Sequence, residues 1–163
     1  IRNIAAGSLT KRLGIPTGEK LSRTIVEFYY KDDALQDPLV SEEHIITFGW
    51  ASQNELDEIT SLALRVNDFL AGYFSAIKIQ LVDFKIEFGR LYKNDEVYVV
   101  LADEISPDSC RLWDSQTKQK MDKDVYRENS GYLLDGYNEV AKRMGLLTQN
   151  GASKNKKPTL VKG

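Results

Sequence analysis

The chain has 163 residues, 42% of them hydrophobic and 28% charged, with a net charge of −2. This is the composition of a globular domain with a core of useful size, and the mild acidity gives no global attraction for nucleic acid. The single cysteine, Cys110, and single histidine, His44, exclude an internal disulfide and zinc sites built on several His and Cys ligands.

No apolar run approaches the ~20 residues needed to span a bilayer, and no signal peptide is visible. The expectation is a cytoplasmic protein with no membrane or nucleic-acid partner, and the lone thiol fits a reducing compartment. His44 has no G-x-S-x-G elbow to accompany it, so a Ser/His/Asp triad is not supported. Chemistry falls to carboxylates, lysines, arginines and a hard metal ion.

In chain order, the segment from Ile1 to Ile4 reads as strand, and Ser8 reads as the N-cap of a short helix that Gly14 closes. A helix start after the small-residue turn Ala5-Ala6-Gly7 suits an anion, and Arg2 can add a fork of donors; by itself the signal is weak, and a plain capped helix is the simpler reading. The β-branched and aromatic run from Thr24 to Lys31 predicts one strand, delivering Lys31-Asp32-Asp33 and Asp37-Pro38 into a loop. That cluster is turn chemistry or part of a site. His44 sits at the start of a short helix. Ser52 and Glu55 form a capping box, opening a helix whose stripe Leu56, Ile59, Ala63, Val66, Leu70, Tyr73 and Ile77 belongs to the core.

Leu81 to Arg90 alternates with period two, putting Val82, Phe84, Ile86 and Phe88 on one face and Asp83, Lys85 and Glu87 on the other. Neighbours on that charged face stand about 7 Å apart. The ladder is either a solvated face or a site. A turn at Lys93-Asn94-Asp95 and a strand from Glu96 to Leu101 complete an antiparallel hairpin. With an odd loop, Glu87 and Asp103 oppose each other and can share Mg²⁺ with substrate phosphates; an even loop puts Asp103 on the other face. Asp103 to Asp114 reads as a polar loop in which Arg111 is the anion binder and Cys110 a packing residue. A last amphipathic helix carries Tyr132, Leu133, Tyr137, Val140, Ala141 and Met144, ends at Gly145, and is followed by a flexible basic tail over 148–163.

Four ordered blocks resemble the SAICAR synthetase family: R-N-I-A-A-G-S from Arg2 to Ser8, L-V-D-F-K-I-E-F-G from Leu81 to Gly89, D-E-I-S-P-D from Asp103 with R-L-W-D from Arg111, and Lys31-Asp32-Asp33 with Asp37-Pro38. The resemblance covers residues 1–147. It implies an α+β fold with an antiparallel sheet, flanking helices and an ATP-grasp- or kinase-like nucleotide cleft. It implies an ATP-dependent ligase of purine biosynthesis that joins L-aspartate to a carboxylated aminoimidazole ribonucleotide (CAIR). Residue by residue, Glu87 and Asp103 would bind Mg²⁺, and Lys85 with Lys31 would meet ATP. Lys85, Asp108 and Lys123 would be catalytic. Arg2, Ser8 and Arg111 would hold the CAIR 5′-phosphate, Asp37 and Asp108 would line the CAIR site, and Asp83 and Arg127 would complete it. Family members begin with a further lobe whose Gly- and Lys-containing hairpin covers the nucleotide phosphates, so the chain is expected to be the C-terminal portion of such an enzyme. A homodimer is compatible with the family. A nucleotide-binding fragment without activity, and another Mg²⁺-dependent phosphoryl-transfer enzyme, are the rival readings; against the latter, H-R-D and D-F-G motifs are absent.

Overall fold

The computed structural model describes residues 1–128 and 133–147. Tyr132 and the basic tail over 148–163 lie outside them.

The core is a four-stranded antiparallel sheet made of β1 (Arg2–Ile4), β2 (Lys20–Ile25), β5 (Ile79–Phe84) and β8 (Cys110–Asp114), ordered β2-β1-β5-β8. Two small antiparallel pairs flank it: β3 (Phe28–Tyr29) with β4 (Leu39–Val40), and β6 (Phe88–Lys93) with β7 (Glu96–Leu101). The helices are α1 (Ser8–Leu13), α2 (Glu42–Thr47), α3 (Gln53–Ala76), α4 (Asp124–Arg127) and α5 (Leu133–Arg143). Every strand pairing among the described residues is antiparallel and the helices pack against the sheet rather than crossing over between parallel strands, which makes the fold α+β.

Helix α3 starts as expected. The Ser52 hydroxyl accepts from Glu55 N–H and the Glu55 carboxylate accepts from Ser52 N–H. Its stripe buries Leu56, Ala63 and Leu70, with Phe74 rather than Tyr73 completing it. Leu70 and Phe74 pack on Ile79, Leu81, Phe84, Leu112 and Val140, while Ile4, Ala6, Val82 and Trp113 form a second cluster. The central strands are therefore covered on both faces, and β5 is buried along almost its whole length.

Four expectations from the sequence need correction. The segment from Leu81 to Arg90 is two strands in two sheets. A bulge at Val82 lies between the pairs Leu81–Leu112 and Asp83–Arg111. It breaks the alternation and turns Asp83 into the protein, because an extra residue in one strand re-aims its neighbour. The run from Thr24 to Lys31 is likewise split between β2 and β3. Cys110 to Asp114 is strand rather than loop, held by pairing with β5 along its length. Ser8 is not a cap: Gly7 occupies that position, and the Ser8 hydroxyl accepts from Arg2 instead, at 2.9 Å.

Candidate functional site

The strand order puts one acidic residue between two arginines. Asp83 in β5 is the cross-strand neighbour of Arg2 in β1 on one side and Arg111 in β8 on the other. Oppositely charged cross-strand neighbours are within easy reach of each other. Here Asp83 accepts from Arg2 Nη1 at 3.1 Å and from Arg111 Nη1 at 3.0 and 2.9 Å. It is only 5% exposed. Burial pushes its pKa above the ordinary value, while the charges of Arg111 and Arg2 pull the other way.

Each guanidinium is held from more than one side. Arg2 Nε donates to Glu27 at 2.7 Å and its Nη2 to the Tyr29 hydroxyl at 3.1 Å. Glu27 also receives Arg12 and the Tyr29 hydroxyl, the latter at 2.8 Å. Burial pushes the Glu27 pKa up, but the bonds from Arg2 and Tyr29 outweigh it and the net shift is downward. Arg111 Nε donates to Asp124 at 2.5 Å. Its guanidinium lies against Gly7, whose φ of +59° with ψ of −130° is a conformation that favours glycine and where a Cβ would sit 2.5 Å from Nη2.

A second charged group stands at the exit of β5. Lys85 N–H donates to the Ser109 carbonyl at 2.8 Å, fixing the strand end. Its ammonium lies 2.8 Å from Glu87 and 3.8 Å from Asp37, and Lys31 reaches Glu87 at 3.1 Å. The hydrogen bond from Lys85, then that from Lys31, holds the Glu87 pKa below its usual range against the pull of burial. The hairpin carrying Glu87 is anchored on α3 by Arg90, which grips Glu55 at 2.6 and 3.0 Å and the Trp50 carbonyl at 2.9 Å. Such an anchor matters, because a two-stranded hairpin alone is marginal.

These groups line one cavity of about 500 Å³. Arg2, Ser8, Lys31, Asp37, Asp83, Lys85, Glu87, Arg111, Lys123 and Arg127 all face it, so the structure gathers ten of the residues singled out from the sequence. Asp103 and Asp108 are exposed and do not line it; Asp108 accepts from the Tyr137 hydroxyl at 3.0 Å. The hairpin turn is Asn94-Asp95, two residues with φ of +51° and +62°. Pairing therefore runs Lys93–Glu96 to Phe88–Leu101, and Ala102 N–H donates to the Glu87 carbonyl. Glu87 faces Ala102, and direct opposition of Glu87 and Asp103 does not form. Among the described residues no group of three or more potential ligands surrounds a metal position. Burial raises the Cys110 thiol pKa to about 11, which leaves it a packing residue.

Sequence reasoning missed Glu27, Tyr29, Asp122 and Asp124. Glu27 and Tyr29 share a segment with period-two spacing that suggested only a strand. Asp122 and Asp124 flank Lys123, and their spacing carries no signature of the arginine they serve.

The family model for SAICAR synthetase matches residues 1–144. The chain belongs to the SAICAR synthetase family. It is 61% identical over 162 residues to the phosphoribosylaminoimidazole-succinocarboxamide synthase of Sinorhizobium medicae, covering 99% of this chain and 64% of that one. The chain thus spans somewhat less than two thirds of the curated relatives it matches. A crystal structure of the synthase from Ehrlichia chaffeensis superposes with a TM-score of 0.86 at 48% identity, covering 90% of this chain and 62% of that one. A SAICAR synthetase solved in complex with ADP gives a TM-score of 0.82 at 48% identity, covering 88% and 60%.

Proposed function

We propose that this chain supplies the substrate-phosphate and nucleotide-phosphate contacts of a SAICAR synthetase. The enzyme would join L-aspartate to the carboxylate of CAIR with ATP, giving SAICAR, ADP and phosphate in purine biosynthesis. One observation carries the reading: the row Arg2–Asp83–Arg111 lies in a cavity where six cationic side chains face four carboxylates, within a chain of net charge −2. A local excess of fixed cations in an acidic protein selects anionic ligands, and about 500 Å³ accommodates one of nucleotide size.

The CAIR carboxylate oxygen attacks the γ-phosphorus of ATP, and the bond to the ADP oxygen breaks. The aspartate amine then attacks the acyl carbon, loses a proton, and expels phosphate that keeps an oxygen of the original carboxylate. No side-chain nucleophile is needed; positioning and charge stabilisation carry the rate. Arg2, Ser8 and Arg111 hold the 5′-phosphate. Lys85 and Lys31, exposed and paired with Glu87, can swing to phosphate oxygens of the nucleotide. Lys123 forms no ion pair among the described residues and lines the same cavity, a cation available to the developing acyl phosphate. Asp37 would meet CAIR from the cavity wall, with Arg127 beside Asp124, and Asp83 orients both arginines; Asp108 lies outside the cavity and takes no part.

Of the two carboxylates expected to hold Mg²⁺, Glu87 fits as a hard oxygen ligand kept ionised by its lysines in the cavity, whereas Asp103 is exposed and stands outside it. Glu87 would be this chain's ligand to the ion, which would supply charge neutralisation at the phosphates. The reading goes with a cytoplasmic location. It is tested with CAIR labelled with ¹⁸O in the carboxylate. One labelled oxygen should appear in the released phosphate; unlabelled phosphate would refute the acyl-phosphate course.

A further inference from the structure

Asp122 is wholly buried, at 0% exposure, and pairs with no cation among the described residues. An ionisable group in such a place is costly unless its oxygens are satisfied. Each is satisfied by one backbone N–H: Oδ2 accepts from Leu112 at 2.8 Å and Oδ1 from Asp124 at 2.8 Å. Those two donors bracket the phosphate-site arginine. Leu112 directly follows Arg111 in β8, and the Asp124 carboxylate takes Arg111 Nε at 2.5 Å. The bonds close a ring that runs from the β8 backbone through Asp122 to Asp124 and back to the Arg111 guanidinium. A carboxylate is the short side chain that can accept at both ends; asparagine offers one acceptor and puts a donor against the other N–H.

With Nε on Asp124 and Nη1 on Asp83, Arg111 has Nη2 without a partner among the described residues, on a side chain that lines the cavity. We infer that Asp122 is a positioning residue for Arg111, acting through Asp124, and that this relay fixes the direction in which Nη2 is presented to a phosphate monoester. The inference rests on the proposed role of Arg111 as anion donor.

The test is isothermal titration of ribose 5-phosphate into the wild-type protein and into Arg111→Ala, Asp122→Asn, Asp124→Asn and the Asp122→Asn/Asp124→Asn double variant, with folding checked by circular dichroism. Arg111→Ala should weaken binding more than ~10-fold, as expected for a charged hydrogen bond. Asp122→Asn should weaken it ~5- to 10-fold, and the double variant should bind no worse than Asp124→Asn alone, because residues in one relay are not additive. A general loss of stability would lower the melting temperature without producing that non-additivity. Asp122→Ser is read in the same way if Asp122→Asn does not fold. Wild-type affinity in Asp122→Asn, or an equal loss in both backgrounds, overturns the relay. No binding by the wild-type protein, or unchanged binding by Arg111→Ala, overturns the anion role itself and the relay with it.

Discussion

Replacing Asp83 with asparagine removes the charge shared by two guanidinium groups while keeping the shape of the side chain. Removing one partner of a buried ion pair costs ~3–5 kcal/mol. Here three hydrogen bonds from Arg2 and Arg111 are at stake, but Arg2 keeps Glu27, Arg111 keeps Asp124, and asparagine keeps one acceptor oxygen. The expected loss is therefore at the lower end, ~3 kcal/mol. For a chain of this size ~1 kcal/mol moves the melting temperature by ~2–4 °C, so Asp83→Asn should melt ~6–12 °C below wild type. Thermal unfolding by circular dichroism reads this directly, with exposed Asp68→Asn as a control expected to change little. A shift under ~2 °C would refute the view that Asp83 is the buried counter-ion of both arginines.

Gly7→Ala should cost ~1–2 kcal/mol from the left-handed backbone alone and, by pushing on Arg111, should weaken phosphate binding; unchanged affinity by titration would show that the contact is slack. Burial raises the Asp122 pKa to about 6, above its unfolded value, so its contribution is full below about pH 4 and is lost as pH rises through 6. Chemical denaturation at pH 4 and pH 7 should show wild type losing ~3 kcal/mol relative to Asp122→Asn over that window; a pH-independent difference would contradict the shift. Glu87→Gln should abolish ATP-dependent SAICAR formation with the circular dichroism spectrum intact, and wild-type activity would remove the metal assignment. Arg111→Ala should raise the KM for CAIR far more than that for aspartate; equal effects would move Arg111 away from the substrate phosphate.

The long helix and the hairpin are legible because each has a local signal, the Ser52/Glu55 box and the turn at Asn94-Asp95, whereas the α+β class comes from the resemblance of whole blocks. Ten of the chosen residues share one cavity, because the blocks that suggested them lie at strand ends that the sheet brings together. What could not be read is long-range. Alternation puts Asp83 on a charged face, solvated or part of a site, and neither the bulge at Val82 nor partners 81 and 28 positions away leave a local trace that it is a buried counter-ion. Strand β8 follows a Pro- and Asp-containing loop and has a charged residue at its second and last positions, so its strand character comes from β5. Asp122 and Asp124 resemble ordinary surface acids until the arginine they position is placed beside them.

The most direct measurement is ADP release in a coupled assay in which ATP, CAIR and L-aspartate are omitted in turn. Sustained release should require all three, with SAICAR accumulating in step with ADP. Release at the full rate without CAIR or without aspartate would contradict the ligase reading.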